Sequence, residues 1–276
     1  MDAPLLAPIR LTELDAVAAL RTRFDQKYLL DDRHLEALLP TLLAPHDDWR
    51  VLTIDDRTEF RYSTLYFDRD LVTLRDHQQG RRKRFKVRAR SYPGGGTAAL
   101  EVKAKTGRGQ TDKRRRQRSG QGSTLEPDEA AWVDEQLAMF GVPAIATTLA
   151  PSLSIEYRRT TLVDVSNGER ITIDRGVHAE PIGSDGRPGA SVSILPGTII
   201  LEVKSGRPRS AVTRCLQQHR HRPMRLSKYC LGHASIDDGL DRGSFGIDFV
   251  NTHVGDANPM QNTVTVKGQS MQPFEW

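Results

Sequence analysis

Four cations alternate with apolar residues between Arg84 and Arg90. Arg84, Lys86, Arg88 and Arg90 share one parity, and Phe85, Val87 and Ala89 share the other. That is the period of a strand with one cationic and one apolar face. After the Pro93 to Gly96 turn, Glu101, Lys103 and Lys105 oppose Leu100, Val102 and Ala104 in the same manner. A second Leu-Glu-Val-Lys begins at Leu201, so Glu202 and Lys204 also fall two residues apart and on one strand face. Guanidinium and ammonium groups in such rows are donors for phosphate oxygens, and carboxylates among them are ligands for a hard divalent cation. The chemistry indicated is the binding of a polyanion, with or without a metal.

The charge is concentrated. Of 40 Lys and Arg residues in 276, 15 lie between Arg81 and Arg118, which holds only Glu101 and Asp112 as acids. That stretch carries +13 within a chain of net charge +5, so the remainder is mildly acidic. Apolar content of 37% is enough for a core in a chain of this length. No apolar run is long enough to span a bilayer, and the start MDAPLLAPIRLTELD lacks the pattern of a secretory signal, so a cytoplasmic protein is expected. Cys215 and Cys230 fit neither a zinc pattern nor a disulfide framework.

Elements must position these charges. A short helix is expected over residues 10–20, entered at Thr12. A strand follows over Arg21 to Leu30, with Arg23, Asp25 and Lys27 opposite Phe24, Tyr28 and Leu30. Asp31 or Asp32 caps a helix over Arg33 to Leu43, ended by Pro45. Phe60 to Asp68 reads as a strand and Asp70 to His77 as a short helix leading into the basic hairpin. Gly107 to Gly122, with Lys113 to Arg116 consecutive and no apolar content, reads as a loop, its Lys113 to Arg118 portion a basic lip for an anionic chain. Glu126 to Phe140 is helical, capped near Thr124 and ended by Gly141. Strands follow over Ser154 to Val165, Arg170 to Asp174 and Thr198 to Lys204, then a helix over 207–222. The stretch from Asp237 onward, rich in Gly, Asp, Asn and Gln, carries no assignable fold beyond short strands such as Thr263 to Lys267.

The cationic strand faces have two readings. They could face water as ordinary solvated surfaces, where ion pairs contribute little. Alternatively they could line the inside of a barrel, their apolar sides covered by the amphipathic helices. Inward charges then require compensation, because an unpaired buried ion costs several kcal/mol. A Walker loop, a dinucleotide-binding fingerprint and an HExxH helix are all absent.

Eight segments in order carry a family resemblance: RFDQKYLL, STLYFD, KVRAR, LEVKAKTG, SIEYRRTTL, RITID, LEVKSG and LSKYCLG, from Arg23 to Gly232. Together the chain resembles the vacuolar transporter chaperone (VTC) domain, the polyphosphate polymerase branch of the triphosphate tunnel metalloenzymes, also called CYTH-like. The resemblance implies an α+β fold, an antiparallel eight-stranded β-barrel tunnel flanked by helices. It spans residues 1–234, with 235–276 as a tail of unknown structure. It also implies transfer of the γ-phosphate of ATP to a growing polyphosphate chain with Mn²⁺ or Mg²⁺, and no specific nucleic acid partner.

By motif, Lys27, Arg88, Arg90, Lys103, Arg159, Arg170 and Lys228 resemble the catalytic cations, and Glu202 the metal ligand. Arg225, Lys204 and Lys113 are expected at the substrate. Strand parity groups Arg159 with Ile155, so Arg158 and Arg159 both stay open as the inward residue. Two departures from the pattern are Asp25, where many relatives have Glu, and Arg225, where Lys is usual. The rival readings are a triphosphatase of the same fold, in which water attacks, and a non-catalytic module for polyphosphate or RNA. The triphosphatase would favour Glu-x-Glu-x-Lys, of which Arg23-x-Asp25-x-Lys27 keeps only the second acid. An RNA reader would expose aromatics on a sheet face, and only 6% of the residues are aromatic.

Overall fold

The computed structural model describes residues 6–17, 24–92, 98–105, 111–118, 122–237, 240, 247–251 and 262–266. Arg23, the Pro93 to Gly96 turn and residues 106–110 lie outside them. The main hydrogen-bonded path takes eight strands: β2 (Phe24–Asp31), β11 (Thr198–Ser205), β9 (Arg170–Pro181), β8 (Ala150–Asp164), β4 (Glu59–Asp68), β5 (Arg84–Ser91), β6 (Ala99–Lys105) and β7 (Thr111–Gln117), in that order. The registered pairs β2–β11, β11–β9, β4–β5, β5–β6 and β6–β7 are all antiparallel. The expected α+β class and eight antiparallel strands hold. The path is open, however: β2 and β7 are its two ends, so the described residues give no closed hydrogen-bonded ring.

Strands β1 (Ala7–Ile9), β3 (Trp49–Leu52) and β10 (Val192–Ile194) sit off this path and were not legible in the pattern, being three or four residues long. A separate hairpin pairs β12 (Ile247–Asn251) with β13 (Asn262–Val266).

The chain divides into two compact units. The first comprises residues 1–61, 157–176 and 197–226. Its core joins Tyr28 and Leu30 of β2, Ile199, Leu201 and Val203 of β11, and Ile171 and Ile173 of β9 to two helices. These are α2 (Asp32–Leu43), through Leu35, Leu38 and Leu42, and α5 (Ala211–Gln218), through Val212, Cys215 and Leu216. Asp31 caps α2 as expected, its carboxylate accepting from the His34 amide at 2.7 Å. Ser210 caps α5, which is shorter than the 207–222 expected because Ala211 is its first helical residue. The helix α1 (Leu11–Val17) lies within the expected 10–20, but Leu11 is its first helical residue, so Thr12 sits inside it and not at its entry. Residues 18–20 lie outside the described set.

The second unit comprises 62–156, 177–196 and 227–276. Its core packs Phe85, Val87 and Ala89 of β5 and Leu100, Val102 and Ala104 of β6 under α4 (Pro127–Ala138), through Ala130, Val133 and Leu137. The N-terminus of α4 is closed at Glu126, not near Thr124: the Glu129 carboxylate accepts from the Glu126 amide, and Pro127 occupies the first turn. The short helix after β4 is α3 (Val72–Gln78). Within the segment read as a loop and basic lip, Thr111–Gln117 is a strand. β7 pairs with β6 from Lys105↔Thr111 to Ala99↔Gln117, and Arg118 is buried against Glu129 with its Nε 3.2 Å from the carboxylate.

LSKYCLG starts α6 (Lys228–Ile236), capped by Ser227. Its Gly232 faces β8 and β9. A Cβ there would stand 2.7 Å from Leu153 Cδ2, 2.8 Å from Ile155 Cδ1 and 3.2 Å from Ala179 Cβ. In an exposed helix Gly→Ala would gain about 1 kcal/mol. Here overpacking against fully buried neighbours costs about 1–3 kcal/mol and outweighs it. Gly232→Ala is therefore expected to lower the denaturant midpoint, as circular dichroism during urea unfolding will show.

Candidate functional site

Each unit turns one strand face to its helices and gathers charge on the other. The carboxylates Asp174 and Glu101 are fully buried within that charge, whereas Lys103, Lys113 and Arg115 of the second unit are exposed.

In the first unit the register aligns Lys27, Glu202 and Thr172 in one cross-strand row and Asp25, Lys204 and Arg170 in the next. Glu202 is bracketed by two ammonium groups. Lys27 Nζ lies 3.2 Å from Oε1 and Lys204 Nζ 2.6 Å from Oε2. The Glu202 side chain is only 12% exposed. Burial opposes its charge, but Lys204, Lys27 and Arg159 more than compensate and hold its carboxyl well below the usual range. Asp174 shares the parity of Arg170 and Thr172 on β9 and is fully buried. It accepts two bonds from Arg159, from Nε at 2.6 Å and Nη2 at 2.8 Å. Arg158 is 60% exposed and pairs with Glu59 at 3.3 Å, so it is Arg159 that joins the cluster. Arg225 is exposed in the segment between α5 and α6.

In the second unit Arg88, Glu101 and Arg115 form one row, and Lys86, Lys103 and Lys113 the next. Glu101 is fully buried. Arg88 donates to its Oε2 from Nε at 2.7 Å, and Tyr92 OH donates to Oε1 at 2.7 Å. Lys113 Nζ stands 2.5 Å from Oε1. Burial opposes ionisation of Glu101, yet Arg88, Arg90 and Lys113 hold its carboxyl far below the usual range. Arg90 Nε donates to Thr64 Oγ1 on β4 at 3.2 Å. Lys228 opens α6 directly after Ser227, whose hydroxyl accepts from Lys86 Nζ at 2.7 Å. Behind it, Tyr229 OH donates to Asp68 and the Tyr229 ring leans on Tyr66 at 4.9 Å.

Pattern reading missed Lys86, Glu101, Asp174 and Arg115 as members of these clusters. Alternation had placed the first three on charged faces, but cross-strand register alone shows which groups meet. Tyr92, Tyr66 and Tyr229 carried no signal, since an aromatic residue usually means core.

Among the described residues no three His, Cys, Asp or Glu side chains form a metal-holding group. Glu202 offers one carboxylate, with Asp25 and Asp174 on neighbouring strands of the same face. That donor set does not fit an ion caged by protein. It does fit Mn²⁺ or Mg²⁺ arriving with phosphate and water ligands and taking one carboxylate from the protein.

Two lysines titrate near neutrality. Burial lowers Lys204 to about 7, with Glu202 opposing and Arg159 and Arg170 assisting. Burial likewise lowers Lys113 to about 8 against the pull of Glu101. A bound polyanion favours the ammonium form, so affinity is constant below these values and falls as pH rises through them. Binding of tripolyphosphate is expected to take up protons above pH of about 7, seen as a buffer-dependent calorimetric enthalpy that shrinks in Lys204→Met.

On the charged strand face of each unit, arginines and lysines gather around buried carboxylates, a set of donors suited to phosphate oxygens. The sequence model of the VTC domain matches residues 22–237, and the chain belongs to that family. No curated protein sequence matches it. Among solved structures, a Hippeastrum protein titled as an adenylyl cyclase with dominant triphosphatase activity aligns at 15% identity and TM-score 0.47, covering 77% of this chain and 96% of its own. A Vibrio parahaemolyticus adenylate cyclase-like protein aligns at 12% and 0.38, covering 78% and 91%. A Pyrococcus horikoshii protein aligns at 12% and 0.38, covering 76% and 97%. Likenesses this weak say nothing of activity.

Proposed function

We propose that the chain transfers the γ-phosphate of ATP to the end of a growing inorganic polyphosphate chain. The observation that carries this reading is the arrangement of cations around buried carboxylates in a member of the VTC domain family. Phosphoryl transfer needs positioned reactants and neutralised charge more than covalent chemistry. Arg159, Arg170 and Lys204 in one unit, and Arg88, Arg90, Lys103 and Lys113 in the other, donate to phosphate oxygens. Arg225 adds an exposed contact for the substrate. Lys27 in the first unit and Lys228 in the second each add an ammonium group that neutralises phosphate charge.

Glu202 would hold the divalent cation, which supplies charge neutralisation between phosphates. Lys27 and Lys204, which flank Glu202, would bind the substrate beside it. The attacker, a terminal phosphate, is already anionic and needs no general base. In keeping with that, burial holds His77 down to about 3 and His233 to about 4, so both are neutral at physiological pH.

The competing reading, water as acceptor, is favoured by one observation. Asp25 lies directly opposite Lys204 on the charged face, restoring an acid beside Glu202. One assay separates the two: the full chain is incubated with ATP and Mn²⁺, and products are run on a gel stained for polyphosphate beside a free-phosphate measurement. Long chains are expected. Free phosphate alone establishes the hydrolytic reading instead, and absence of both products overturns either enzyme.

A further inference from the structure

Glu101 has no part in the mechanism above, and its surroundings differ from those of Glu202. Both its oxygens are taken. Oε2 receives Arg88 Nε at 2.7 Å and Nη2 at 2.6 Å, a two-pronged grip. Oε1 receives Tyr92 OH at 2.7 Å and Lys113 Nζ at 2.5 Å. Four donors saturate a carboxylate that is fully buried, which leaves no lone pair arranged for a cation.

The register explains why Lys113 takes part. By position Lys113 belongs to the row Lys86–Lys103–Lys113, three ammonium groups side by side on adjacent strands. Like charges directly opposite one another repel. Lys113 instead reaches one row along to Glu101, and Lys86 is drawn to Ser227.

We infer that Glu101 is a positioning residue for phosphate binding: it locks Arg88 of β5 and Lys113 of β7 into one fixed pair of donors. Their remaining N–H groups then face the same anion. The inference rests on the phosphate-binding reading above and deepens it. Among the described residues Arg88 Nη1 meets the Tyr66 hydroxyl at 3.5 Å, a long contact, and is the prong available to a phosphate oxygen. A guanidinium held on one edge keeps its geometry when the other edge binds, so little side-chain entropy is lost on binding.

The test turns on a sign. If Glu101 acted only through its charge, Glu101→Gln would remove a repulsive carboxylate and tighten anion binding. Positioning predicts the reverse. Metal-free tripolyphosphate binding to the full chain, by titration calorimetry, should weaken on the order of 100-fold, the loss that misplacing a binding group brings.

Adding Glu101→Gln to Arg88→Met should weaken binding less than Glu101→Gln weakens it in the wild-type chain, because only Lys113 is then left to lose its position. Tyr92→Phe removes one donor to Oε1 and should give a smaller weakening. It decides the matter if Glu101→Gln fails to fold, and unchanged binding there overturns the inference. Wild-type chain that binds no tripolyphosphate overturns the phosphate reading itself. Wild-type binding with equal or tighter binding by Glu101→Gln overturns the positioning role alone.

Discussion

Glu202→Gln is expected to reduce Mn²⁺-dependent polyphosphate synthesis from ATP by about 100- to 1000-fold, the scale lost when one electrostatic partner of a transition state is removed. Glutamine keeps the volume between Lys27 and Lys204, so the strand pair β2–β11 should persist. The two states of the reaction respond differently. Without metal, Glu202 is a counter-charge for two lysines and an anion would displace it from them. Its loss therefore leaves metal-free tripolyphosphate binding in place.

With metal, the same carboxylate has ammonium groups to release, since its ion pairs are with Lys27 and Lys204. Asp174 is held in a two-pronged bond by Arg159, whereas Glu202 is held only by ammonium groups, which rotate away at lower cost. Mn²⁺ binding in the presence of tripolyphosphate, followed by the loss of the free-ion electron paramagnetic resonance signal, should accordingly weaken in the variant. Full synthesis by Glu202→Gln would sink the metal role.

How much of this could be read from the chain depends on what period two can express. Alternation put Arg88 and Arg90 on one face, and the two Leu-Glu-Val-Lys runs announced paired charges. Register lies beyond alternation. Nothing local says that Glu202 stands opposite Lys27, or that Lys113 crosses a row to reach Glu101. β7 failed for a different reason. Lys113 to Arg116 are consecutive cations with no apolar parity to betray a strand, yet they pair in register with β6. As an end strand, β7 is also the kind of edge that charge protects from pairing with other chains. Parity pointed away from Arg159, grouping it with the apolar Ile155, because the choice between Arg158 and Arg159 is made by Asp174 across the hairpin.

That choice leads to the second large effect, on stability. Asp174→Ala should destabilise the fold by about 3–5 kcal/mol, the cost of stranding one member of a buried ion pair. The total stability of a domain is about 5–15 kcal/mol, so the loss should appear as low soluble yield and a large drop in urea midpoint. Arg159 cannot shed its charge near neutral pH, and its own position is held well toward the charged form by the Asp174 pair against burial. The Tyr157 ring, 5.1 Å from the guanidinium, offsets only part of the loss, roughly 0.5–2 kcal/mol.

Replacing both partners is a different experiment. Arg159→Met with Asp174→Leu removes the stranded charge along with its partner, and hydrophobic replacement of a buried pair is often neutral or stabilising. The double variant should therefore regain the urea midpoint while still binding tripolyphosphate poorly. Recovery of stability without recovery of binding separates what Asp174 does for the fold from what Arg159 does for phosphate. An Asp174→Ala protein as stable as wild type would show that Arg159 finds another counter-charge, and would remove the basis for assigning it a fixed direction.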